Sequence, residues 1–408
     1  MSRGWVVTLA GTGINLALGI LYTWSVISKA IPADWNWTEQ QKSWPYAIAC
    51  LVFSIMMVPA GRLQDKISPR WVATFGGLLV GLGMMLASRS NSYFNYMLGF
   101  GLLAGAGIGF GYASATPPAV KWFPAARTGM IAGIVVSGFG LASVYAAPLT
   151  NWLVKQEGGV PGAMFLLGIA FLVVVVVLAQ LLRTPPKGYV PPGTVPASPG
   201  AVAKKEDFSP AEMLGTSQFY LLWFMYACGA GAGLMIIAKL AAIADKQAGV
   251  ALGFVLVASL AVGNGAGRII AGMVSDKLGR KPTIIGCLLL QAVLMVVLTL
   301  ATQGSPLSTV PALAVLSALM GANYGANLAL YPSVTKDFYG LKNFGVNYGL
   351  VFTAWGIGGF ALSLVAGKLY DTYQNFSYSC YLAAGLLVLA AAAALWLRPP
   401  AAQHIQES

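Results

Sequence analysis

The sequence predicts an all-α membrane protein: twelve transmembrane helices in two pseudo-symmetric six-helix halves. Three observations carry that prediction. Of the 408 residues, 57% are hydrophobic and only 9% are charged, against roughly 25% charged in a soluble domain. Twelve apolar runs, each long enough to cross a hydrocarbon layer about 30 Å thick, alternate with short polar segments. Finally, the loop chemistry repeats. Gly61-Arg-Leu-Gln-Asp-Lys-Ile-Ser-Pro-Arg70 follows the second run and Gly272-Met-Val-Ser-Asp-Lys-Leu-Gly-Arg-Lys281 follows the eighth, an offset of 211 residues. Lys121 to Arg127 after the fourth run has its counterpart in Lys336 to Lys342 after the tenth. Two loops repeated at matching places imply two related halves around a central site.

The first half covers residues 1–182, with spans at about 5–28, 44–60, 70–88, 93–115, 128–152 and 161–182. The first run, Trp5 to Ser28, is too long and too rich in Gly and Tyr for a cleavable signal, so it reads as a span. Pro117, Pro118 and Pro124 are expected to end or kink the fourth span. Residues 183–216 form a linker whose prolines forbid helix and sheet ladders, with a short amphipathic helix expected over Phe208 to Leu214. The second half, 217–398, holds spans at about 218–243, 249–274, 282–302, 307–331, 344–366 and 377–397, followed by a tail, 399–408. With both termini placed in the cytoplasm, 16 Lys and Arg fall on that side and seven on the other. That bias fits a multi-pass protein of a cell inner or plasma membrane with both ends inside.

The net charge of +12 is scattered over short loops, which argues against nucleic acid as a partner. The four cysteines lie in apolar runs and read as packing residues, not as a disulfide framework or a metal site. The one histidine, His404, is in the tail. No metal cluster, nucleotide loop or Ser/His/Asp set is evident, so no cofactor and no enzymatic activity are expected. Neither is there a sizeable soluble domain for a sensor. A monomer in the lipid bilayer is expected.

Arg268 is the only charge between Gln247 and Ser275, a stretch of 29 residues. An arginine in hydrocarbon costs several kcal/mol, so it marks a protein interior or a watery pathway by default. Asn264 lies one turn away on the same face, and Gly263, Gly265 and Gly267 allow close approach. A guanidinium beside an amide suits a carboxylate. The competing reading is an arginine that snorkels to the interface, since Asp276 is about 12 Å along the helix. Tyr22, Tyr112, Tyr324 and Tyr331 are candidates to line the same site, each offering an apolar wall and one hydroxyl; an interfacial aromatic belt is the alternative. Trp355 either closes the apolar side or packs between helices. Asp65 with Arg62 and Arg70, and Asp276 with Arg280, read as gating charge pairs at the inner ends, or else as positive-inside anchors. All twelve acidic residues lie in loops, at span ends or in the tail, so a proton pump built on a mid-span carboxylate is not expected.

Twelve spans in six-plus-six with the repeated Gly-x-x-x-Asp-Lys loop resemble the major facilitator superfamily over essentially the whole chain. Tyr22-Thr-Trp-Ser25, Lys121-Trp-Phe-Pro124, Pro185-Pro-Lys-Gly-Tyr189, Ser209-Pro-Ala-Glu-Met-Leu214 and Asn347-Tyr-Gly349 are similar to the oxalate/formate antiporter family. The arginine on span eight resembles the carboxylate-binding arginine of that family and of monocarboxylate (lactate and pyruvate) transporters. Two departures narrow the implication. The oxalate transporter carries a second cation, a lysine, where this chain has Trp355, and two cations suit a dianion while one suits a monoanion. Animal monocarboxylate transporters carry an aspartate linked to proton movement where this chain has Asn264. The resemblance therefore implies a secondary transporter of small monocarboxylates of the lactate and pyruvate class, proton-coupled and working by alternating access. An oxalate/formate-type exchanger of dicarboxylates is the alternative.

Overall fold

The structure is a computed structural model that describes residues 2–124, 127–156, 158–186, 188–192, 208–340 and 343–400; for Asp65, Thr128 and Gly129 it describes the backbone alone. The described residues form helices and loops with no strand. Twelve helices are long and apolar enough to cross a membrane. In the first half these are α1 (Arg3–Lys29), α2 (Glu39–Gln64), α3 (Pro69–Ala87), α4 (Tyr93–Val120), α5 (Met130–Leu153) and α6 (Gly159–Ala179). In the second they are α7 (Ser217–Lys246), α8 (Gly253–Leu278), α9 (Arg280–Thr299), α10 (Val310–Tyr339), α11 (Phe344–Tyr373) and α12 (Ser377–Trp396). An even number of crossings puts the starts of α1 and α7 and the ends of α6 and α12 at one end, called proximal here; the opposite end is distal.

Several helices outrun the apolar stretches that announce them. α2 starts at Glu39 because Thr38 caps it: the Gln41 N–H donates to Thr38 Oγ1 and the Gln41 side chain accepts from the Thr38 N–H, a reciprocal capping box. α10 and α11 run on to Tyr339 and Tyr373, since a helix satisfies its own backbone whether or not its side chains are apolar. Pro117 and Pro118 do not end α4, which continues to Val120. Proline in a membrane helix is tolerated where neighbours re-satisfy the freed backbone groups. The short helix expected before α7 is present as Pro210–Leu214, with Ser209 and Glu212 as its capping box. The Ser209 N–H donates to the Glu212 carboxylate at 2.6 Å and holds its pKa below the ordinary value. Its entry is tied to the second half: the Phe208 N–H donates to Tyr339 O, and Asn343 and Asn347 both donate to Phe208 O. Residues 193–207 of the expected linker, and 401–408 of the tail with His404, lie outside the described residues.

The packing repeats as the loops do. α1 packs on α5 as α7 packs on α11; α2 packs on α4 as α8 packs on α10; α3 packs on α6 as α9 packs on α12. The halves meet along two related seams, α2 against α11 and α5 against α8. The α2–α11 seam is tight distally and opens proximally. A Cβ on Gly367 would stand 2.7 Å from Gln40 Cα, and one on Gly356 would stand 2.8 Å from Cys50 O and nearer still to Ser54 Oγ. On Gly349 it would meet only Val58 Cγ2 at 3.2 Å, and on Gly345, one turn further, nothing within 4 Å. The two halves therefore close on each other at the distal end and part at the proximal one.

Candidate functional site

Arg268 is held in place by its own helix and by the one packed behind it. α8 and α10 approach until backbone meets backbone: a Cβ on Gly267 would stand 2.0 Å from Ala322 O, and one on Gly325 would stand 2.1 Å from Asn264 O. Only glycine fits such a crossing. With α10 filling that side, the Arg268 side chain is directed into the α5–α8 seam. There its Nε donates to Asn264 Oδ1 at 3.1 Å and its Nη1 donates to Val136 O of α5 at 3.1 Å. Gly140, one turn beyond Val136, leaves room for the guanidinium, since a Cβ there would stand 3.2 Å from Nη2. Arg268 therefore does not snorkel to the interface. It spans the two halves and remains partly exposed, whereas Asn264 is fully buried. The Asn264 Nδ2 donor has no protein partner, an unfilled polar position beside a cation.

Aromatic rings line the space beside the guanidinium. Tyr112 is partly buried and stands within electrostatic reach of Arg268, as do Tyr22 and Tyr348. Tyr112 packs edge-on against Phe53 and Phe139 at 5.4 and 5.3 Å. Phe139 meets Tyr22 at 4.9 Å and Phe53 meets Trp355 at 5.1 Å. The column ends in a chain of polar contacts: the Trp355 Nε1–H donates to the Tyr324 hydroxyl at 2.8 Å, and that hydroxyl is bonded to the Tyr22 hydroxyl at 2.5 Å. Tyr22 belongs to the first half and Tyr324 and Trp355 to the second, so this chain also closes the molecule across its middle. All three are at most 3% exposed. Tyr22 sits where α1 tightens to a 3-10 turn, Gly19–Thr23.

Of the expected site residues, the structure brings Arg268, Asn264, Tyr112, Tyr22, Tyr324 and Trp355 into one cluster. Tyr331 is not brought to the guanidinium. It stacks on Tyr226 at 4.2 Å inside the second half, with its hydroxyl unpartnered. Phe53, Phe139, Val136 and Gly140 are members of the cluster that sequence reasoning missed; apolar residues in an apolar span carry no signal of their own. Tyr348 lies inside the Asn347-Tyr-Gly349 pattern, but it too was missed as a site residue.

The proximal charges act within each half. Arg280 binds Asp276 at 2.7 Å and Asp337 at 2.9 Å, clamping the end of α8 and the start of α9 to α10. Arg70 donates to Gln180 Oε1 at 2.5 Å, and Arg62 is exposed; the side chain of Asp65 lies outside the described residues. The described ion pairs that join the two halves lie distally: Lys239 and Lys246 bind Glu39 at 3.2 and 2.9 Å, and Lys29 binds Asp245 at 3.0 Å. The described ion pairs between halves thus lie at the opposite end from the loop-repeat charges, at the end that is closed. The sequence did offer a sign, a lysine at 239 deep in an apolar run.

The Major Facilitator Superfamily model matches the chain over residues 7–254 and again over 222–408. The uncharacterized MFS-type transporter YhjX of Escherichia coli (strain K12) is 30% identical over 355 residues, covering 86% of this chain and 85% of that one. The oxalate:formate antiporter of Oxalobacter formigenes is 28% identical, covering 86% and 81%, and human monocarboxylate transporter 11 is 28% identical, covering 95% and 81%. Among solved structures, a bacterial homolog of the human lysosomal transporter Spinster, inward-facing and unoccupied, superposes with a TM-score of 0.71 at 16% identity, covering 97% of this chain and 96% of that one. That last likeness concerns the fold alone. Twelve spanning helices, the twice-matched family model and the relatives' coverage agree: the chain belongs to the Major Facilitator Superfamily and is a membrane transporter, not an enzyme.

Proposed function

We propose that this transporter carries small monocarboxylates of the lactate and pyruvate class, coupled to protons, by alternating closure of its two ends. The observation that carries the reading is Arg268: a guanidinium fixed at Nε and Nη1, with Nη2 facing Gly140 and the unpartnered Asn264 Nδ2 close by. A carboxylate bound there takes charge-assisted hydrogen bonds from a preset fork, and the aromatic column beyond suits a short apolar tail with one polar group. Trp355, at the position where the resembling oxalate transporter carries a second cation, is wholly buried and bonded to Tyr324. Proton coupling is supported by the resemblance to monocarboxylate transporters together with energetics, since an anion entering alone works against about 2.3 kcal/mol per 100 mV of inside-negative potential. The proton then travels on the substrate or binds after it. With both termini cytoplasmic, the proximal end is the inner one and this conformation faces inward. The similarity to the oxalate:formate antiporter supports a second reading, dicarboxylate exchange. Labelled lactate and labelled oxalate, offered in parallel to cells expressing the chain, separate the two. The first reading requires lactate uptake that rises at lower external pH and is abolished in Arg268→Gln; oxalate uptake that needs internal counter-substrate and ignores the pH gradient would establish the second.

A further inference from the structure

The distal closure has a composition that simple anchoring does not need. Glu39 opens α2 and is only 6% exposed. Its carboxylate is met by Lys239 at 3.2 Å, Lys246 at 2.9 Å and Lys42 at 3.3 Å. Lys239 also donates to the Glu39 carbonyl at 2.9 Å and is itself 2% exposed. Lys239 and Lys246 stand two turns apart on α7, on one face of the helix, and Lys246 lies over the Tyr370 ring at 4.3 Å. From α11, Asp371 stands within electrostatic reach of Lys239 and spends both carboxylate oxygens on the Glu39 and Gln40 backbone N–H groups, at 2.9 Å each, capping α2 across the seam. Lys29 is taken by Asp245. One carboxylate on the first half thus occupies a two-lysine seat on the second.

We propose that Lys239 and Lys246 form a second carboxylate-binding site, at the distal mouth, which Glu39 fills as a tethered anion in the closed state and which a free small carboxylate fills when that end opens. A buried ammonium stripped of its partner costs several kcal/mol. Parting of the halves removes Glu39 from Lys239, so opening is unfavourable unless water or another anion takes the seat. A carboxylate arriving from the distal side supplies the same two-oxygen group that leaves. Its binding therefore favours opening by mass action and raises the local anion concentration on the path to Arg268. Glu39 is the competitor that keeps the mouth shut when no carboxylate is present. The proposal rests on the carboxylate reading of the Arg268 site, and the two fail separately in the following test.

Ser43, 1% exposed and set beneath Gly367 at the closed seam, reports opening when replaced by cysteine. In purified full-length Ser43→Cys protein in detergent, where both ends meet solvent, the labelling rate with a polar maleimide is measured against lactate concentration. Lactate is expected to accelerate labelling at least threefold. The acceleration should persist when Arg268→Gln removes the central site. It should be lost in Lys239→Met, and its half-maximal lactate concentration should rise at least fivefold in Lys246→Met, whose milder position protects folding. Glu39→Gln should label rapidly without lactate. Loss of the response in Arg268→Gln would mean that the anion acts through the central site alone, and would overturn the proposal. So would an undiminished response in either lysine variant. A response that survives Arg268→Gln while lactate uptake by cells expressing the otherwise unmodified chain is absent would support the distal site and count against the central reading.

Discussion

Asn264→Asp is the most informative single change at the central site. Its Oδ1 already accepts from Arg268 Nε at 3.1 Å, so the substitution adds a charge without moving an atom. An ionised carboxylate there sits about 4 Å from the centre of the guanidinium charge. At an effective dielectric of about 20, suited to a partly exposed site, that attraction is about 4 kcal/mol. A substrate anion must now either bind to a neutralised arginine or drive a proton onto the introduced carboxylate. Either route weakens affinity by roughly a thousandfold at neutral pH, since each 1.4 kcal/mol is tenfold. The second route makes binding proton-linked: affinity should recover by up to tenfold for each unit the pH falls. The assay is pyruvate affinity of the purified protein by titration calorimetry or ligand-induced thermal shift between pH 5 and pH 8, with Lys239→Met in both proteins compared so that the distal seat does not contribute. A variant that binds pyruvate at pH 7 within threefold of the unmodified protein, with the same pH slope, would refute the reasoning, because it would place the substrate carboxylate away from Arg268.

Three other outcomes follow from the same geometry. Arg268→Lys keeps the charge but loses the fork, and with it one or two charge-assisted hydrogen bonds of about 1.5–3 kcal/mol each; lactate uptake should fall at least tenfold with membrane insertion unchanged, as read by uptake and surface quantification. Gly356→Leu places a branched side chain against Ser54 and the Cys50 carbonyl, so the distal seam should no longer close, and a cysteine at Ser43 should react with maleimide rapidly in the absence of any anion. Trp355→Lys introduces a second cation at the Tyr324 hydroxyl; uptake of labelled lactate should fall and binding of a dicarboxylate should become measurable by thermal shift.

Much of the frame was legible because membrane physics writes it in composition. A lone arginine in an apolar run must be housed, so Arg268 announced a protein-lined site before any coordinates. Asn264 followed from one helical turn and Gly267 from the need for a close crossing. The tyrosines were legible as a chemical type but not as an assembly. Tyr22 and Tyr324 stand 302 positions apart in different halves, and nothing local tells either of the other. Tyr331 lies seven residues beyond Tyr324, about 10.5 Å along α10, a step that carries it past the column to where Tyr226 of α7 covers it. The seat of Glu39 was hidden for a different reason. Its partners depend on which end of the molecule is closed, and a sequence shared by both states specifies neither. Lys239, a charge within an apolar stretch, was the one local sign of it, and it was missed as one.

The sharpest test of one cation for one carboxylate is competition at equilibrium at the central site alone. In purified Lys239→Met transporter, where the distal lysine seat is removed, bound labelled lactate should be displaced by pyruvate and not by oxalate at matched concentrations. With Arg268 as the sole cation of the site, oxalate leaves its second carboxylate unpaired among Trp355, Phe53 and Phe139, at a cost of several kcal/mol. Displacement by oxalate as effective as that by pyruvate would contradict this, and would mean that a second cation faces the bound substrate.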